Sequence, residues 1–292
     1  MSAAVEKRRP SRFSFGLNRF ALILVILYLF IPLLATLIFG LSSPKGTFVP
    51  YEQIFADQGF KDTLLRSLQL SVASTLLAII LVTPTAYWVH LRVPKARPLM
   101  DVLTLIPFAI PAVIMALGLL EVYGTDNTLI SYLSFGLVPI LSYDPFNIVN
   151  TPQLLVCAYV VISLPFVYRP IDNNLRAINT TILTEAAYSL GTGWWRTFLT
   201  VIVPNIWPGV ISAALLTFST CMGEFTLASL SGIYTFPIYL DVTGQFDPYK
   251  AASLAILSFL LTLLCVLAII FLVRRAPGQA GKEGDIEIAA SK

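Results

Sequence analysis

The chain has 292 residues, 57% hydrophobic and only 12% charged, with a formal net charge of +3 and a mean hydropathy of +0.80. Soluble domains carry about 25% charged residues, so this composition excludes a water-soluble fold and points to a lipid environment. Three cysteines (Cys157, Cys221, Cys265) lie in apolar runs without paired spacing, and the single histidine is His90. Neither a disulfide framework nor a Cys/His metal cluster is expected, and no cofactor is implied.

A helix needs about 20 apolar residues to cross the hydrocarbon core, each adding about 1.5 Å. The first uncharged run of that length covers residues 20–41, after a tail bearing Lys7, Arg8, Arg9, Arg12 and Arg19. It is longer than a signal-peptide core and no A-x-A-like site follows, so it reads as a span and not a cleaved leader. The second run, 67–89, ends in Tyr87, Trp88 and then His90, which reads as a residue at headgroup level. Arg92, Lys95 and Arg97 follow, and the third run is 102–120. A shorter stretch at 127–143 is broken by glycine and proline and reads as an external loop, re-entrant or interfacial. The fourth run, 145–168, leads into a connection with Arg169, Arg176 and Arg196. The fifth run is 197–223, with 225–240 after it as a second short external stretch. The sixth, 251–273, is followed by Arg274, Arg275, Lys282 and Lys292.

The basic residues named so far make 15 of the 19 in the chain, all on one face of that topology, and Lys45, Lys61, Arg66 and Lys250 remain for the other. By the positive-inside rule both termini are cytoplasmic. The expected architecture is an all-α membrane protein with six transmembrane helices. Residues 20–273 form the membrane domain, between cytoplasmic tails at 1–19 and 274–292. Prolines at 32, 84, 107, 111, 165, 204 and 208 fall inside these runs. Each removes a backbone donor and crowds the preceding turn, so kinked helices are expected.

The fourth connection carries the most informative stretch, TEAAYSLGTGWWRTFLTVIVPNIWP, residues 184–208. Asn179, Thr180 or Thr181 offers a cap for a short helix over 182–190, and Gly191 and Gly193 end it. Ala186 and Ala187 keep the helix slim, Glu185 offers an acceptor to a partner, and Trp194 and Trp195 suit the membrane surface. Asp172 and Arg176, spaced i and i+4, form an ion pair just before it.

This stretch resembles the signature of the membrane permease subunits of binding-protein-dependent ABC importers. Glu185, Ala186, Ala187, Gly191, Phe198, Val201, Pro204 and Pro208 stand at the family's offsets, in the loop before the penultimate apolar run. Thr192 stands where the family more often has alanine. The resemblance implies that the segment between spans 4 and 5 is a cytoplasmic coupling helix docking on a separate ATPase. Its residues would be mechanical, with Gly191 as a bend and Pro204 as the entry to span 5, and none catalytic. In keeping with this, the chain contains no G-x-x-x-x-G-K-[ST] phosphate cradle of its own.

Over the whole chain the resemblance is greatest to the spermidine/putrescine branch, whose relatives also serve ferric iron, thiamine, sulfate or phosphonates. It implies cytoplasmic ATP-binding subunits, a second and different permease subunit, an extracytoplasmic solute-binding protein and a bacterial inner-membrane location. The lipid bilayer is the remaining partner, and no nucleic acid is expected. The candidates for a substrate pathway are Glu224, Tyr234 and Tyr239, because a carboxylate beside a long apolar run is costly unless used and aromatic rings receive cations. The competing reading of Glu224 is structural, with its carboxylate accepting bonds from nearby backbone or from Ser231 at a bend beside Gly223. Against the importer stand an ion-gradient-driven secondary transporter and a membrane enzyme or scaffold. The first would be expected to place acids or bases within the spans, and the six runs contain none. The second needs a convergent catalytic cluster, and none is visible.

Overall fold

A computed structural model describes residues 12–123 and 150–275. The stretch 127–143 and the outer parts of both expected tails therefore lie outside the described residues. Among the described residues every regular element is a helix. In chain order these are α1 (Arg12–Leu41), α2 (Val49–Ala56), α3 (Gln58–Arg92), α4 (Arg97–Ala109), α5 (Ala112–Tyr123) and α6 (Pro152–Ala177). After them come α7 (Thr180–Ser189), α8 (Trp194–Asn205), α9 (Trp207–Met222), α10 (Thr226–Leu230), α11 (Phe236–Phe246) and α12 (Pro248–Arg275).

Four stretches are long and apolar enough to cross a membrane: Leu22–Leu41, Gln58–Arg92, Pro152–Ala177 and Pro248–Ala268. The count rises to six if each of two bent pairs is one span. The third run, expected as one helix, divides into α4 and α5, bent by 93°. Two prolines fall in it, and only the second breaks it. Pro107 continues α4, whereas Ile110, immediately before Pro111, is forced to φ −89°, ψ 124°. A residue preceding proline is driven from helical to extended backbone by the proline ring. The fifth run is likewise divided, with α8 and α9 bent by 76° around Ile206.

The chain falls into two compact units. The first takes its described residues from 12–57 and 240–260. Within it Phe39 stacks on Tyr249 at 4.7 Å, and Gly40 lies so close to Ser253 that an added Cβ would come within 3.0 Å of its hydroxyl. Lys250 pairs with Asp57 at 2.7 Å. None of the apolar window on Leu22–Leu41 is buried, leaving that surface for lipid or another chain.

The second unit holds α3 to α10, the start of α11 and the end of α12. Its core forms where α3, α6, α8 and α9 meet, around Tyr87, Val167, Tyr168, Ile171, Ile202, Ile206 and Ala213. In lipid the hydrophobic effect does not press helices together, so close approach depends on small side chains and on satisfied polar groups. Accordingly α3 buries Ser67, Ser71, Ser74 and Ala78 at three- and four-residue spacing, and Thr75 returns its hydroxyl proton to the Ser71 carbonyl at 2.7 Å. Gly209 is a point of close approach between α9 and α6. A Cβ there would fall 2.6 Å from Asn174 Nδ2 and 2.8 Å from the Pro170 carbonyl.

Candidate functional site

The segment singled out in the sequence forms α7, which begins two residues earlier than expected. Asn179 takes the cap position with left-handed backbone (φ 49°), and its side chain makes no capping bond. The other end follows the expectation closely. Gly191 adopts φ +81°, its N–H bonds the Tyr188 carbonyl at 2.9 Å, and the Thr192 N–H reaches back to Ala187 at 3.2 Å. Those two bonds are the Schellman pair that satisfies the last carbonyls of a helix, and the left-handed position between them favours glycine. Thr192 reinforces the stop, since its hydroxyl also donates to the Ala187 carbonyl, at 2.7 Å.

The faces of α7 differ. Thr180, Thr184 and Ala187, spaced by four and three, are buried against the rest of the unit. Thr184 donates to the Thr180 carbonyl and in turn accepts the Tyr87 hydroxyl at 3.0 Å, tying α7 to the end of α3. The opposite face exposes Glu185 and Ala186, together with Ile182 (65% exposed) and, at the helix end, Leu190 (85%). An exposed acid with apolar side chains exposed near it is a surface suited to a protein partner. Sequence reasoning alone does not single out Ile182, Leu190, Thr184 or Tyr87. The 180–184–187 spacing of small residues is the available signal for the buried face.

The later half of the motif builds the mount beneath α7. Phe198 is buried, stacks on Tyr87 at 5.4 Å and on Trp194 at 5.5 Å, and Trp195 meets it edge-on at 6.2 Å. Trp194 and Trp195 thus belong to an aromatic cluster as well as offering surface. Residues Phe198–Ile202 form a π turn, whose widened ladder runs from the Val203 N–H to the Phe198 carbonyl. Pro204 comes one residue later, after Val203, and with no N–H to give it fits where the regular ladder is interrupted. Pro204 is exposed, whereas Phe198 is buried in the mount.

His90 is not a surface residue: it is 3% exposed, enclosed by protein. Its Nε2 lies 2.6 Å from Asp172 Oδ1, and Arg97 Nη2 lies 2.8 Å from its Nδ1. A buried imidazole is tolerated because both ring nitrogens are bonded. Asp172 and Arg176 form the expected i, i+4 pair, at 2.7 Å.

On the other candidate site, Glu224 caps α10, accepting from the Leu227 N–H at 3.0 Å and the Ala228 N–H at 3.3 Å. That is the structural geometry anticipated, reached through backbone donors. Tyr234 is exposed and its carbonyl accepts from Arg66 at 3.4 Å, while Tyr239 is buried. The three residues therefore occupy three different settings: a helix cap, an exposed ring in the connection before α11, and a buried ring within α11. Among the described residues no group of three or more His, Cys, Asp or Glu forms a metal site.

A chain whose described residues are all-helical, with four to six membrane-length apolar elements, is a multi-pass membrane protein. The sequence profile described as "binding-protein-dependent transport system inner membrane component" matches residues 82–278, and the chain belongs to that family, which consists of transport permeases and not enzymes. It is 30% identical over 177 residues to the spermidine/putrescine transport system permease protein PotB of Escherichia coli, covering 60% of this chain and 62% of that protein. The chain thus spans about three fifths of the length of that relative. It is also 32% identical to the molybdenum transport system permease protein ModB of Azotobacter vinelandii, over 57% of this chain and 70% of that one. A third relative, the probable sulfate transport system permease protein cysT of Chlorella vulgaris, is 35% identical over 44% of this chain and 45% of its own. Among solved structures, one chain of a bacterial ABC transporter involved in the import of the acidic polysaccharide alginate shares the fold. Its TM-score is 0.71 at 15% identity, covering 91% of this chain and 96% of that one.

Proposed function

We propose that this chain is one of two paired permease subunits of an ABC importer in a bacterial inner membrane, and that α7 is its coupling helix. Each bent pair counts as one span in this reading, giving six spans over residues 20–273 with cytoplasmic tails at 1–19 and 274–292. Glu185, Ala186 and Ala187 enter a cleft of a cytoplasmic ATPase, Gly191 sets the turn behind them, and Phe198 and Pro204 anchor the mount. ATP-driven closure of the ATPase is passed through this contact to the spans. The observation that carries the reading is the division of α7 into an outward acidic and apolar face and an inward face bonded to Tyr87.

The cargo is proposed to be a polyamine, delivered by an extracytoplasmic solute-binding protein, with a different permease completing the pore. Likeness to PotB supports that choice, as do the acids Glu52, Asp62, Glu121 and Asp241 in segments assigned to the outer side, which would attract cations. Glu224, Tyr234 and Tyr239 are assigned to the pathway on the same reading. An oxyanion cargo is the second reading, favoured by the likeness to ModB and cysT. Uptake of labelled spermidine, putrescine, molybdate and sulfate into cells with and without this chain separates the two. A deficit confined to the amines supports the first, and one confined to the oxyanions replaces it with the second.

A further inference from the structure

The imidazole of His90 sits in a chain of polar contacts that crosses three helices. Arg97 is the first residue of α4, His90 lies in the last turn of α3, and Asp172 and Arg176 are on α6. A guanidinium only donates, so with Arg97 Nη2 at 2.8 Å the His90 Nδ1 must present its lone pair. The ring proton is therefore on Nε2 and is given to Asp172 Oδ1 at 2.6 Å. Asp172 Oδ2 accepts from Arg176 Nε at 2.7 Å. Arg97 Nη2 also reaches the His90 carbonyl, at 3.2 Å. The chain of bonds thus runs from α4 through α3 to α6 with each contact charge-assisted.

Two features give this chain a mechanical setting. A cleft of about 210 Å³ is lined by His90, Arg97 and Arg176 together with Asn179, Thr181 and Ile182 of the α7 entrance. At its far end α4 is cut from α5 by the 93° bend. His90 and Arg97 hold its first turn, beside a direct contact of Arg176 Nη2 with Asp101 Oδ2 of α4 at 3.7 Å and an edge-on contact of Phe108 with Phe166 of α6 at 5.7 Å near its end.

We propose that His90 is a positioning residue of the coupling apparatus, pinning the first turn of α4 to α6 beside the entrance of α7 so that movement of α7 reaches α4. This rests on the reading of α7 as the coupling helix. His90 bridges because it accepts on one side and donates on the other. A glutamine amide can do the same, whereas phenylalanine fills the space and does neither.

Hydrogen exchange read by mass spectrometry on the complex purified through the tagged full chain tests the proposal, with MgATP plus orthovanadate as the probe. In the wild type, trapping changes exchange in peptides from both α7 and α4. His90→Gln keeps both responses. His90→Phe keeps the α7 response and loses most of the α4 response. Arg97→Met does the same at a partly exposed position, and carries the test alone if the phenylalanine variant does not assemble. An α4 response of wild-type size in Arg97→Met or His90→Phe, or a glutamine variant no better than phenylalanine, overturns the proposal. An ATPase-containing complex in which wild-type α7 itself does not respond overturns the coupling-helix reading, and the role of His90 with it.

Discussion

The hydroxyls of Tyr87 and Thr184 lie 3.0 Å apart, 97 residues apart in sequence, and join the end of α3 to the middle of α7. Because Thr184 gives its own proton to the Thr180 carbonyl, Tyr87 must be the donor. Tyr87 also stacks on Phe198, so one side chain connects the helix of the signature to its mount. Tyr87→Phe keeps the stacking and removes the bond. It should destabilise the chain by about 0.5–1.5 kcal/mol, the ordinary net value of a hydrogen bond, read as a lowered midpoint in a thermal melt in detergent. An unchanged midpoint would show that the hydroxyl contributes nothing to holding α7.

Gly191 stands at φ +81° with no atom within 4 Å of where a Cβ would be. A substitution there meets no clash, and its cost is the left-handed backbone alone. Gly191→Ala should cost about 1–2 kcal/mol, and Gly191→Asn less, because asparagine tolerates that region. Thermal melts of the two variants check the order, and equal midpoints would mean that the turn relaxes to another geometry.

Gly209 presents the opposite case, with ordinary backbone and no room. Gly209→Ala places a methyl group 2.8 Å from the fixed Pro170 carbonyl. It should force α9 away from α6 at about 1–3 kcal/mol, the usual range for overpacking. Gly193→Ala, which meets nothing within 4 Å, is the control, and a melt in which both behave alike would contradict this packing.

The Glu224 carboxylate caps α10 through two backbone N–H groups. Glu224→Gln keeps an acceptor and should leave assembly intact while lowering uptake of a cationic cargo. Glu224→Ala removes the cap as well and should add about 0.5–2 kcal/mol of destabilisation. Saturating spermidine uptake unchanged in the glutamine variant would take Glu224 out of the pathway and leave it the capping role alone.

Local chemistry makes α7 legible in the sequence. Its glycine stop and its acid at Glu185 act over a few residues, and spacing discloses them. The division of the third span is not legible. Pro107 and Pro111 look alike in a sequence, and only the continuation of α4 past the first decides which one ends a helix. His90 escapes for a related reason, since its carboxylate partner is 82 residues away and only the packing of α3 on α6 brings them together. Glu224 falls between these cases. The donors to its carboxylate, Leu227 and Ala228, are near in sequence, yet the start of α10 that presents their N–H groups is hidden in a stretch that reads as loop.

The most direct test of the central claim is recovery of partners with the carboxy-terminally tagged chain from its native membrane in mild detergent, wild type against Glu185→Arg. The coupling-helix account predicts that a P-loop ATPase accompanies the wild type and is lost from the variant, while the variant remains folded, because Glu185 is exposed and supports nothing in the core. A folded wild type that brings no ATPase, or a variant that retains it in full, would contradict the assignment of α7.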